Sequence, residues 1–223
     1  MSSDASPVPV AHQARSRETQ NRIFAAGVRL LEEGGPEALT VSTVADAAGV
    51  SVGSVYRRFG DKEGLLLAIQ ARFTDELAAE FLRRLVDLDL SAATPPAAVI
   101  ATAVEGATES LHSHAALMRV FMLLGTHNPA VFEHGSAVSV GGGQVFRDIV
   151  MLAAPALRHH ADVEAAIDFA YRLIYATCAH RIIHGEHLES RRPLPWPELV
   201  DQLRRAVTAY LLGPTVEPPA DDR

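Results

Sequence analysis

Apolar residues recur three and four positions apart along almost the whole chain, and nowhere does period-two alternation enriched in Val, Ile or Thr persist long enough for a strand. That periodicity restricts the fold class to all-α. Gly and Pro fall at a few punctuation points. The first helix is expected over roughly 15–33, with Ile23, Ala26, Leu30 and Leu31 on one face, and it stops at Gly34-Gly35-Pro36. Thr40 then offers an N-cap for a short helix through Ala48. Gly49 permits a tight turn, Val50 plugs the angle between two helices, and Ser51 caps a further helix that turns Val55 and Phe59 inward. This pattern is a helix-turn-helix.

After Gly60, Asp61 caps a long fourth helix with an apolar face of Leu66, Ile69, Phe73, Leu77 and Phe81, which is expected to join two domains. Beyond Pro95-Pro96, helical stretches are expected at about 97–112, 115–125, 136–153, 162–185 and 196–212. The expected organisation is a disordered arm over 1–14, a helix-turn-helix domain over 15–62, a larger helical domain over 63–212 and a disordered tail over 213–223.

The net charge of −7 would speak against nucleic acid if it were evenly spread. It is not: residues 5–62 hold seven Lys or Arg against six Asp or Glu (+1), while residues 63–223 hold thirteen against twenty (−7). Phosphate neutralisation acts within a Debye length of about 8–10 Å, so a DNA reader needs a local basic face, not a basic total. The single cysteine, Cys178, excludes an intramolecular disulfide framework and reads as a core residue. The opening MSSDASPVPV lacks the basic and apolar regions of a signal peptide, and the longest apolar stretches, Val120–Leu124 and Ile149–Leu157, are too short to span a bilayer. A soluble cytoplasmic protein without a membrane partner is expected.

The segment from Leu39 to Ile69 resembles the DNA-binding domain of tetracycline-repressor (TetR/AcrR-type) regulators. It carries the small-residue helix and turn (Ala45, Ala48, Gly49), the Val-Ser start, Tyr56 and Phe59 three apart, the Asp61-Lys62-Glu63 junction and the apolar helix beyond. The close match covers about residues 15–70. The resemblance implies a double-stranded DNA operator as partner, with contacts from Val52, Gly53, Ser54 and Tyr56. Val52 is limited to apolar contacts such as a thymine methyl. Geometry independently places Ser51 to Ser54 at the groove, because a recognition helix reads bases near its N-terminus. Tyr56, Arg57 and Arg58 suit phosphate oxygens one turn on, with either arginine also able to reach a guanine edge, and Ser42 and Thr43 start the preceding helix beside the backbone. Lys62, the only lysine in the chain, stands at a helix N-terminus where the family places a phosphate-contacting lysine. An isolated cluster of this kind reads as a solvated face; the surrounding motif assigns it to DNA.

The rear domain is less specific. Leu111, His114, Met118, Phe121, Met122, Phe146, Phe169, Arg172 and Tyr175 are candidate walls of the small-molecule pocket that the resemblance implies, although Met and aromatic residues at helical spacing also serve as plain core. The acidic rear favours an apolar or cationic effector. Val163, Ile167, Ala170, Ile174, Cys178 and Ile182 form one stripe, and Leu199, Leu203, Ala206 and Tyr210 another, which together suit a four-helix homodimer interface.

No cofactor is expected. His180, His184 and His187 share a face only if their helix continues past Gly185, and His112, His114, His127 and His134 have no metal-ligand spacing. Gly141-Gly142-Gly143 lacks the Lys-Ser/Thr of a phosphate loop and reads as a helix start or flexible joint, and neither a nucleophile elbow nor HExxH occurs. The expected function is a ligand-released repressor acting on a palindromic operator. The alternatives are a ligand-independent DNA-binding or protein-interaction module, or an enzyme with an accessory DNA-binding domain.

Overall fold

The computed structural model describes residues 8–86, 90, 91 and 93–213, with side chains of residues 8–12, 81, 82 and 84–86 undescribed. All of its regular structure is helical: α1 (Val8–Ala38), α2 (Val41–Ala48), α3 (Val52–Phe59), α4 (Lys62–Val86), α5 (Pro96–His112), α6 (Ala115–Gly125), α7 (Pro129–Val150), a 3-10 segment (Met151–Leu157), α8 (Val163–His184) and α9 (Trp196–Leu212). No strand occurs among the described residues.

Local chemistry sets most of these bounds. Gly35 breaks α1 with φ 64° and ψ −167°, where the Gly-Gly-Pro run predicts an end. At the other end, α1 is already helical from Val8, inside the arm expected to be disordered; residues 1–7, the tail from Pro214 and the Phe81 side chain lie outside the described residues. α7 begins at Pro129, seven positions before its expected start. The Asn128 carboxamide oxygen accepts from Ala130 N and Val131 N, and proline at the first helical position has no amide to satisfy. Capping therefore sets the start of α7 at Pro129. With the 3-10 segment, this makes one 29-residue run, Pro129–Leu157, long and apolar enough by length and composition to cross a membrane, where the sequence had suggested only short apolar stretches. Its Phe146 and Val150 are in the core, and 22% of its most apolar window is buried.

Two hydrophobic clusters organise the chain. The first joins α1–α4 to the underside of α6, with Ile23, Leu39, Val44, Val55, Leu65 and Ile69 at its centre and Leu117 and Phe121 closing it. The second holds α5, α7, the 3-10 segment, α8 and α9 around Ile100, Val104, Phe146, Ile167, Ile174 and Val207. Met118 touches both. The first core runs without a break across residue 62, where the domain boundary was expected, because α4 packs Leu65, Leu66, Ile69 and Phe73 into it.

Candidate nucleic-acid interface and internal cavity

The turn between α2 and α3 is built from caps. Thr40 Oγ1 accepts from Thr43 N while Thr43 Oγ1 accepts from Thr40 N, a reciprocal box that satisfies two helix-end donors. Gly49 takes the left-handed conformation (φ 63°, ψ 42°), and Val50 N donates to Ala45 O at 3.0 Å. Ser51 Oγ accepts from Ser54 N at 3.2 Å and starts α3. Each such cap contributes about 1 kcal/mol. Val55, fully buried, and Phe59, whose ring meets Phe24 edge-on at 5.7 Å, hold the inner face of α3.

The outer face of α3 is what this packing leaves free. Val52 is 39% and Tyr56 53% exposed, Arg57 is exposed, and open space surrounds Gly53. Four of the expected polar contacts already have internal duties. The Thr43 hydroxyl donates within its own cap to Ala38 O or Thr40 O. Arg58 donates to Ser54 Oγ at 2.7 Å and to Ser16 Oγ at 3.2 Å, tying α3 to α1. Ser51 is the N-cap. Ser42 is exposed beside them.

Lys62 is exposed at the first turn of α4, next to the Asp61 cap, whose Oδ1 accepts from Gly64 N at 2.8 Å. A residue without an assigned role brings this corner together. A Cβ on Gly64 would lie 2.1 Å from the Phe59 carbonyl oxygen, so glycine here lets the start of α4 abut the end of α3. The α3 face and Lys62 thus lie on one corner of the molecule, with Tyr56, Arg57 and Lys62 as its exposed hydrogen-bonding groups. A helix with a small leading turn and phosphate-length side chains behind it suits backbone contact and sparse base readout.

Behind this domain, α4–α8 line a partly open cavity of about 970 Å³. Leu111, Met118, Phe121, Met122, Phe146 and Tyr175 stand in its wall, as the sequence suggested. Three other candidates do not. His114 Nε2 lies 3.3 Å from Glu80 Oε2, with its ring edge-on to Phe73. Phe169 and Arg172 project from the far side of α8: Phe169 is 51% exposed against Tyr210, and Arg172 pairs with Asp168. Tyr171 and Tyr175, four residues apart, hold the stripe of α8 that faces the cavity. Polar residues missed in the sequence line the same cavity: Gln70 and Thr74 from α4, His134 and Ser139 from α7, and Tyr171 from α8. They sit singly among apolar neighbours and form no recognisable motif.

The glycine run 141–143 lies within α7, not at a helix start. Cβ atoms on Gly142 and Gly143 would meet the Tyr171 hydroxyl oxygen at 2.6 Å and its ring at 3.0 Å, so the run seats that side chain, whose hydroxyl donates to Ser139 O at 3.0 Å. Burial pushes the Tyr171 phenol up to about 12. Of the histidines, His180 pairs with Glu189 through Nδ1 at 2.6 Å, and the His184 ring lies tilted against the His180 ring with centroids 4.7 Å apart.

Residues 23–69 match the family model described as bacterial regulatory proteins, tetR family. The chain is 30% identical over 111 residues to the HTH-type transcriptional repressor KstR2 of Rhodococcus jostii (strain RHA1), an alignment covering 50% of this chain and 53% of that protein. The chain therefore spans about half the length of the curated relative it matches. Among solved structures, Salmonella enterica GusR superposes with TM-score 0.61 at 22% identity, covering 93% of this chain and 97% of that one. A TetR/AcrR-family regulator from Thermobifida fusca superposes with TM-score 0.58 at 20% identity, covering 86% and 96%. These likenesses establish the fold.

Proposed function

Since the chain belongs to the TetR family of bacterial regulatory proteins, we propose that it is a transcriptional repressor that binds a palindromic operator as a homodimer inside the cell and is released by a small molecule in the α4–α8 cavity. It acts by binding, not by turnover. The observation that carries this reading is that α4 belongs to both sites: Lys62 opens it at the DNA-facing corner, and Gln70, Phe73 and Thr74 line the cavity about two to three turns on. A molecule that favours one position of α4 shifts the spacing of two recognition helices and so their fit to half-sites about 34 Å apart. The repressor named among the relatives supports the direction of control.

The DNA contacts in this reading are Tyr56, Arg57, Lys62 and Ser42, with Val52 and Gly53 close to the bases. Ser51, Ser54, Arg58 and Thr43 shape the surface from behind. Operator selection from random duplexes tests it, repeated with Tyr56→Ala and Lys62→Ala across a salt series. Loss of a phosphate contact at Lys62 reduces the slope of log K against log salt by about 1 and weakens all sequences alike. Wild-type affinity and salt dependence in both variants would remove these residues from the interface.

A further inference from the structure

The α4 wall of the cavity holds a hydrogen-bonding atom without a partner. Gln70 is 2% exposed and stands among the lining residues. Its Nε2 donates to Val131 O at 2.9 Å, and because a carbonyl only accepts, that bond fixes which end of the amide is which. Oε1 is then a buried acceptor with no hydrogen-bond partner among the described residues. Such atoms are rare in folded proteins and call for an explanation.

No donor of the described residues reaches it. Thr74 Oγ1 donates to the α4 backbone, at 2.8 Å from Ala71 O, and lies 2.7 Å from His134 Nε2, so these two groups are engaged with each other and with the helix. Tyr171 spends its proton on Ser139 O and keeps oxygen lone pairs to offer. Among the described lining residues there is no Lys or Arg, and Asp75 adds a carboxylate. The lining is mainly apolar, its polar groups are hydroxyls, the Gln70 amide, the His134 imidazole and the Asp75 carboxylate, and among the described residues it holds no guanidinium or ammonium. An anion entering it would lose hydration with no compensating charge.

We propose that the cavity binds a neutral, largely apolar molecule that presents a hydroxyl or N–H to Gln70 Oε1, and that it rejects carboxylates of the same shape. This inference rests on the regulator reading for the cavity's role. Gln70 lies eight residues, about 12 Å, along α4 from Lys62. It is also tied to α7 through Val131 O, so a donor at Oε1 acts on both helices.

Displacement of N-phenyl-1-naphthylamine from the full chain, followed by fluorescence, tests the inference with 1-tetradecanol, its methyl ether and tetradecanoate. These three share an apolar body and differ in donor and charge. The alcohol is expected to compete about tenfold more strongly than either of the others. Gln70→Leu and Gln70→Met, each checked for native helix content and a cooperative melt, are expected to bring alcohol and ether together. Equal competition by alcohol and ether in the wild type, a preference for the carboxylate, no displacement by any of the three, or an undiminished alcohol preference in both variants would overturn it. Operator binding by the unliganded chain is read separately. If it is absent, the regulator reading fails while a donor preference still stands; if it is present without a donor preference, this inference alone fails.

Discussion

A Cβ at position 64 would collide with the backbone oxygen of Phe59, an atom that cannot swing aside as a side-chain tip can. Gly64→Ala is therefore expected to destabilise the chain by about 1–3 kcal/mol, read as a lower Tm, although alanine is the better helix former. Gly27 differs: its Cβ would meet the Ile69 Cδ1 tip at 2.4 Å, and that side chain can rotate. Both glycines lie in helices where spacing alone reads them as filler. Their necessity comes from what crosses them. The same holds for Arg58, whose sequence position suggests a phosphate contact and whose bonds to Ser54 and Ser16 make it a brace between α3 and α1.

Helix α7 shows how an element with poor intrinsic propensity survives. Three consecutive glycines in its interior each disfavour helix by about 1 kcal/mol relative to alanine, and tertiary contact with Tyr171 offsets part of that. The run separates into two kinds of position. Gly141 has nothing within 4 Å of its Cβ position, so Gly141→Ala is expected to raise stability by about 0.5–1 kcal/mol. Gly142→Ala gains the same propensity but drives a methyl to within 2.6 Å of the Tyr171 hydroxyl oxygen, displacing the ring and its bond to Ser139 O. Its net effect is expected to be a loss of about 1 kcal/mol or more. Parallel thermal melts of the two variants check the contrast, and equal gains from both would refute the seat assigned to Tyr171.

At the scale of the whole molecule, burial links stability to pH. Both Tyr171 and Cys178 are pushed up to about 12, in each case chiefly by desolvation, from ordinary values of 10.0 and 9.0. A group that holds its proton more tightly when folded adds stability fully present below its unfolded pKa. That contribution fades as pH rises from about 9 towards about 12. Denaturant midpoints are expected to fall across this window, and Cys178 should resist thiol reagents at pH 8 until the chain unfolds. Assembly belongs to this scale too. Of the two stripes expected to form a dimer seam, Ile167, Ala170, Ile174, Cys178, Leu199 and Leu203 are buried within the subunit's own core. Tyr210, of the second stripe, does lie on the outward face, 5.2 Å from Phe169 of α8 and exposed like it. Under the homodimer reading, Phe169→Asp with Tyr210→Glu is expected to yield monomers by sedimentation and to weaken operator binding without altering helix content.

Sequence by itself determined the helical class, the turn from Thr40 to Ser51 and the inward faces of α1–α4, because caps, left-handed glycine and apolar periodicity act within a few residues of each other. The motif from Leu39 to Ile69 likewise made the exposed corner of α3 and Lys62 legible. Only the tertiary structure decided which stripe of α8 faces inward, since its apolar residues encircle the helix and periodicity cannot choose between core, cavity and outer surface. It also decided that Gln70 ends in a cavity wall with one oxygen unpaired, a fact that depends on Val131, 61 residues away. Local signals are written in neighbouring residues; a cavity is defined by elements that meet only when the chain has folded.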